Sequence, residues 1–111
     1  MKSYPINHND EILWAKFIGN YATGLLALQI NDSDNLPYMT ASVNCEKIYL
    51  FPEAKHDDSK MLVIKDYSEN KGIEDSLIKA GVINHTDQIG IAKVGFEDCS
   101  VYKIKESVWK A

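Results

Sequence analysis

The chain has 111 residues, 45% hydrophobic and 25% charged, with 16 acidic residues against 12 basic ones and a net charge of −4. That length matches one ordinary domain spanning residues 1–111, and this apolar content with modest net charge excludes a disordered chain. Every basic residue is lysine. The planar guanidinium fork that reads guanine edges is therefore missing, which together with the acidic balance argues against a sequence-specific DNA reader.

The opening Met1-Lys2-Ser3-Tyr4-Pro5 has no apolar run behind its lysine. The longest apolar run, Leu25 to Leu28, falls far short of the roughly 18 residues a membrane span needs. The expectation is a cytoplasmic protein with Cys45 and Cys99 as reduced thiols.

Taken in chain order, Met1 to Asp10 reads as a loose, turn-rich start. Glu11 to Ile18 mixes periods and tilts towards a strand through Trp14, Phe17 and Ile18. In Tyr21 to Ile30 the alternating Leu26, Leu28 and Ile30 suggest one buried face. The turn cluster Asn31-Asp32-Ser33-Asp34-Asn35 and the returning run Pro37 to Val43 complete a hairpin. Lys47 to Phe51 is a short edge or crossing segment. Glu53 to Lys60 is a charged loop, and Met61 to Ile64 fits a buried strand.

A helix over about 70–80 follows. Ser68 or Asn70 offers a cap, and Glu69, Glu74 and Asp75 set negative charge at the positive dipole end. Ile73, Leu77 and Ala80 share a face, and Gly81 supplies a left-handed stop. Gln88 to Val94 and Cys99 to Lys105 then alternate as a second hairpin. In the latter, Cys99 and Val101 lie on one face, with Tyr102 and Ile104 on the other. The fold class expected is α+β: a mostly antiparallel sheet of about five to six strands with one main helix packed on one face, the other face available for a partner or a second subunit.

Signatures of chemistry are absent. His8, Cys45, His56, His85 and Cys99 are scattered singly without paired zinc spacing, and the His56-Asp57-Asp58 cluster reads as a solvated turn. Neither cysteine has a glycine-rich elbow or a helix start beside it to lower its pKa. There is no phosphate-binding glycine loop, and adjacent acids such as Glu74-Asp75 do not face each other on a helix. The reading is a chain that is not an enzyme, with no catalytic residue, cofactor or metal.

Two stretches stand out together: Tyr21-Ala22-Thr23-Gly24-Leu25-Leu26-Ala27-Leu28-Gln29-Ile30 with Ser42-Val43-Asn44, and Ile64-Lys65-Asp66-Tyr67-Ser68-Glu69-Asn70-Lys71-Gly72-Ile73 with Ala80-Gly81-Val82-Ile83. They resemble a family of small uncharacterised proteins carried by phages, plasmids and other bacterial mobile elements. The chain departs from that pattern at Lys71, where an acid is usual, and after Asn84, where a Thr-Gly turn is usual. The resemblance implies an accessory factor (counter-defence, regulatory or replicative) that acts by stoichiometric binding, and it supplies no activity.

The leading expectation is thus a non-enzymatic protein that binds a protein partner around Lys65, Asp66, Tyr67, Ser68, Glu69 and Asn70, where an aromatic and both charges meet at a helix start. Against that stands the plainer reading that Asp66, Ser68 and Asn70 cap the helix and Tyr67 fills the core. A second expectation is a single-stranded nucleic-acid binder using Tyr38, Lys47, Tyr49, Tyr102, Lys103 and Lys105, aromatics interleaved with lysines on strands. A third is a small enzyme without a recognisable motif. A homodimer and burial of Trp14 and Trp109 are left open.

Overall fold

The computed structural model describes residues 2–54 and 60–110. The His56-Asp57-Asp58 cluster and most of the charged loop between Glu53 and Lys60 lie outside the described residues. The class is α+β, but the single sheet of five to six strands is corrected to two antiparallel sheets of four strands each.

The first sheet runs in chain order: β1 (Ser3–His8), β2 (Glu11–Asn20), β3 (Leu26–Asn31) and β4 (Pro37–Thr40). The start expected to be loose is strand β1. Asn9 and Asp10 both adopt positive φ, 52° and 63°, which is the two-residue turn whose twist suits a hairpin, and His8 pairs with Glu11 across it. The period of two was hard to see because the inward positions are the half-buried Tyr4, then Ile6 and a histidine, His8. On β2 the inward positions are Leu13, Ala15 and Phe17, and on β3 they are Leu26, Leu28 and Ile30.

The second sheet contains β5 (Ile48–Leu50), β6 (Lys60–Val63), β7 (Gln88–Val94) and β8 (Glu97–Ile104) in the order β5-β7-β8-β6. Strands β7 and β8 form the expected second hairpin, turning at Gly95 with φ 61°. Gly90 lets β5 lie close, since a Cβ there would sit 2.4 Å from the Tyr49 carbonyl oxygen.

A seam joins the sheets where the chain leaves β4. The Lys65 amide donates to the Ala41 carbonyl at 2.8 Å, and the Val43 amide donates to that of Val63 at 3.1 Å. Between them Ser42 bridges Ile64. The Ser42 hydroxyl also accepts from the Leu28 amide at 2.8 Å, standing in for a ladder carbonyl where β3 and β4 diverge.

The expected helix over 70–80 is split. One 3-10 turn covers Ser68–Asn70, and α1 (Ile73–Lys79) begins after Gly72, whose φ of 94° breaks the helical run. Gly81 closes it in the left-handed region, φ 78°, as the sequence predicts. A last turn, α2 (Glu106–Trp109), ends the described chain.

Two apolar cores result. The first joins Leu13, Phe17 and Leu28 of the first sheet to Leu62, Tyr102 and Ile104 of the second, with Ile73 and Leu77 of α1 wedged among them. The second lies on the other side of the second sheet, around Val63, Ala92, Cys99 and Val101, with Leu25 and the half-buried Tyr67. The second sheet therefore packs a core against each face, with Tyr49 of β5 left exposed, while the first keeps an open outer face. No helix among the described residues is long and apolar enough to cross a membrane.

Candidate functional site

The segment from Lys65 to Asn70 is drawn largely into the architecture. Asp66, rather than Ser68 or Asn70, starts the helix: one carboxylate oxygen accepts from the Gly72 amide at 3.0 Å and the other from the Glu74 amide at 2.8 Å. Asn70 is 1% exposed, and its amide donates to the Thr40 carbonyl at 2.6 Å, tying the 3-10 turn to β4. The Tyr67 ring packs on the second core with the Lys65 ammonium 5.6 Å from its centroid. Ser68 and Glu69 remain exposed, Ser68 at a φ of 54°. Hydrogen bonding from its own amide, then Lys65, holds the Glu69 carboxyl below the usual carboxylate range.

The tyrosine and lysine set is dispersed. Tyr38 lies on β4 of the first sheet and Tyr49 on β5 of the second; both are exposed. Lys47 and Lys105 are exposed and Lys103 is half-buried. Tyr102 is buried, and its hydroxyl donates to Glu74 at 2.5 Å, so its ring offers no face on which a base could stack. Burial, followed by the Glu74 carboxylate, pushes the Tyr102 phenol well above its usual range.

One histidine meets one serine. His8 Nδ1 lies 2.8 Å from Ser76 Oγ, Ser76 Oγ lies 3.2 Å from the Gly72 carbonyl oxygen, and the Asn9 amide nitrogen lies 3.4 Å from His8 Nε2. A single proton arrangement satisfies all three: Nδ1–H donates to Ser76, Ser76 donates to Gly72, and Asn9 donates to Nε2. In that arrangement the pair clamps β1 to α1. Beside it a cleft of about 780 Å³ opens between β1 and α1, lined among others by Pro5, Asn7, Asp75 and Lys79.

Cys45 and Cys99 are free thiols in the second core. Burial, then the neighbouring Cys45, pushes the Cys99 thiol up to about 11, far from a reactive thiolate. Among the described residues no group of three His, Cys, Asp or Glu side chains is placed to hold a metal ion.

The outer face of the first sheet is the most unusual surface. On β2, Ile12 is 54% and Trp14 39% exposed, at alternate positions of the face opposite the core. The strand register sets Pro5, Trp14, Asn31 and Pro37 side by side in one row, and Ser3, Lys16, Gln29 and Thr40 in the next. Exposed Tyr38 alternates with the inward Met39 at the β4 end. These rows hold one lysine and no carboxylate, in a chain with 16 acids. Asn31 is satisfied locally, accepting from Gln29 at 2.6 Å and donating to Asn35 at 3.1 Å.

No family model, curated protein or solved structure matches this chain. The sequence carried one signal for this face. Glu11 to Ile18 is apolar at both odd and even positions, the mark of a strand covered on two sides, and only one side is covered here.

Proposed function

We propose that this chain is a non-enzymatic accessory protein that acts by docking onto a partner protein through the outer face of its first sheet. The role fits the mobile-element family that the segments Tyr21–Ile30 and Ile64–Ile83 resemble. The observation that carries the reading is the exposure of Ile12 and Trp14 beside Pro5 on a face whose central rows hold no carboxylate. Interface centres are depleted of charge and enriched in aromatic anchors, and a contiguous apolar patch on a soluble surface marks a binding site. Because the anchors stand on a hydrogen-bonded sheet, little ordering entropy opposes docking. Of the contact residues expected from sequence, Ser68 and Glu69 are the ones most open to a partner, so the docking centre moves from that junction to the sheet.

The test is affinity capture from host lysate, with and without nuclease, using the wild-type chain, Trp14→Ser, Ile12→Thr and Tyr67→Ala. The expected result is a protein captured in both nuclease arms and lost with Trp14→Ser or Ile12→Thr at unchanged melting temperature. Capture that survives both substitutions would move the contact away from this face. Capture lost on nuclease treatment would favour nucleic acid as the ligand.

A further inference from the structure

The edge of β1 bears a second kind of docking chemistry. In a two-residue hairpin the closing pair exchanges both backbone hydrogen bonds, and pairing then alternates. With His8 opposite Glu11, the bonded positions are His8, Ile6 and Tyr4, and the intervening Ser3, Pro5 and Asn7 turn their backbone groups away from β2. The rule holds in the other hairpin: Lys93, one position beyond the closing pair Val94 and Glu97, sends its amide to the Lys47 carbonyl on β5. Among the described residues no hydrogen bond reaches the backbone of Pro5 or Asn7 from outside the sheet. The Asn7 amide, the Asn7 carbonyl and the Pro5 carbonyl thus point away from β2 at the sheet edge, and both residues line the open cleft beside α1.

We infer that this edge takes an extended peptide segment of a partner protein as a fifth strand of the first sheet. The Asn7 amide and carbonyl pair with one residue of an extended segment and the Pro5 carbonyl accepts from the residue two positions along, and a strand edge flanked by a helix gives added side chains a wall to pack on. Here the wall carries Ser76 and the exposed Asp75–Lys79 ion pair, 3.0 Å apart, so it offers both charge signs. The template is fixed at both ends. Tyr4 donates to the Val108 carbonyl at 2.7 Å, and His8 is clamped to Ser76. A second copy is the poorer occupant. Antiparallel pairing of two β1 edges about Ile6 sets each Pro5, which has no N–H, against an Asn7 carbonyl and leaves that carbonyl without a donor.

This inference rests on the reading of the chain as a protein-binding module and names the class of segment bound. The test pans a library of random peptides of about eight residues against the purified chain. The enriched peptides are then measured by calorimetry against wild type, Asn7→Ala, Asn7→Pro and Trp14→Ser. Asn7→Pro removes the outward amide and no bond to β2. The expected result is about tenfold weaker binding to Asn7→Pro, with Asn7→Ala close to wild type. In parallel, hydrogen exchange at the wild-type Asn7 amide should slow when peptide saturates the chain, a readout that holds even if Asn7→Pro fails to fold. No enriched peptide, equal binding to a folded Asn7→Pro, or an Asn7 amide that exchanges as fast with peptide as without overturns the inference. So does a dimer in sedimentation that Asn7→Pro abolishes. Loss with Trp14→Ser alone would return the peptide to the outer face and leave the proposed function standing.

Discussion

Asp66 shows how one side chain can settle an element. Its two carboxylate oxygens take the Gly72 and Glu74 amides, donors that the start of α1 would otherwise leave unpaired. Asp66→Ala should cost about 1–2 kcal/mol, read as a lower urea midpoint at unchanged slope, whereas Ser68→Ala should cost little because Ser68 makes no capping bond. Two other residues impose a pH dependence. Folding raises the Cys99 thiol to about 11 and moves the Tyr102 phenol above its ordinary value, burial being the leading cause for both. A raised acid in the fold means that the unfolded chain releases its proton first. Stability is therefore fully present below the unfolded values and is lost as pH rises through them towards the folded ones. The urea midpoint should fall between about pH 8 and about pH 10.5, and Cys99→Ala should flatten the early part of that fall. A midpoint level across this range would contradict the burial of both groups.

Among the elements, the segment between β4 and β5 does the most to set the architecture, although it forms no strand of its own at Ser42. The Ser42 hydroxyl accepts the Leu28 amide and meets the Tyr21 hydroxyl at 3.0 Å, while the flanking Val43 pairs with Val63 at the end of β6 and Ala41 with Lys65 just beyond it. Ser42→Ala would leave a buried amide without an acceptor, at a cost of about 1–3 kcal/mol. Amide exchange should quicken first at Leu28, Val43 and Lys65 in that variant. Strand β2 makes a related point. Its inner residues Leu13, Ala15 and Phe17 supply stability, and its outer residues Ile12 and Trp14 supply a surface. Substitutions should divide accordingly: Phe17→Ala should cost about 3–5 kcal/mol, and Trp14→Ser should mainly remove partner binding.

For the whole molecule, the seam and the shared first core couple the two sheets. Leu62, Tyr102 and Ile104 of the second sheet pack directly on residues of the first, with α1 between. Neither sheet can leave without exposing the other, so unfolding should be a single transition. Tryptophan emission, reporting on the first sheet and the C-terminal turn, should show the same urea midpoint as labelling of the Cys99 thiol, which lies in the second core. Separate midpoints would mean that the sheets open independently. The same packing leaves the surfaces unlike: the second sheet carries a core on each face, while the outer face of the first sheet and the edge of β1 stay open.

Much of this was legible locally. The runs ending at Ile30, over Met61 to Ile64, Gln88 to Val94 and Cys99 to Lys105 fall within a residue or two of β3, β6, β7 and β8, and the glycine that ends α1 falls where expected, because periodicity and φ preference are decided by neighbouring residues alone. β1 was missed because a histidine fills one of its inward positions, and the division into two sheets because the seam bonds join residues such as Ala41 and Lys65 that are distant in sequence. Asp66 and Asn70 were visible as polar residues near a helix start. Whether they face a partner or hold the fold depends on Gly72, Glu74 and Thr40 reaching them, which is a fact of packing. The sequence by itself determined the α+β class, the lysine-only basic set and most of the strands, because composition and short-range sterics carry that information. The tertiary structure decided which face of β2 is covered, that Tyr102 is buried against Glu74, and that the edge of β1 stands open beside α1, because burial is set by residues that only folding brings together.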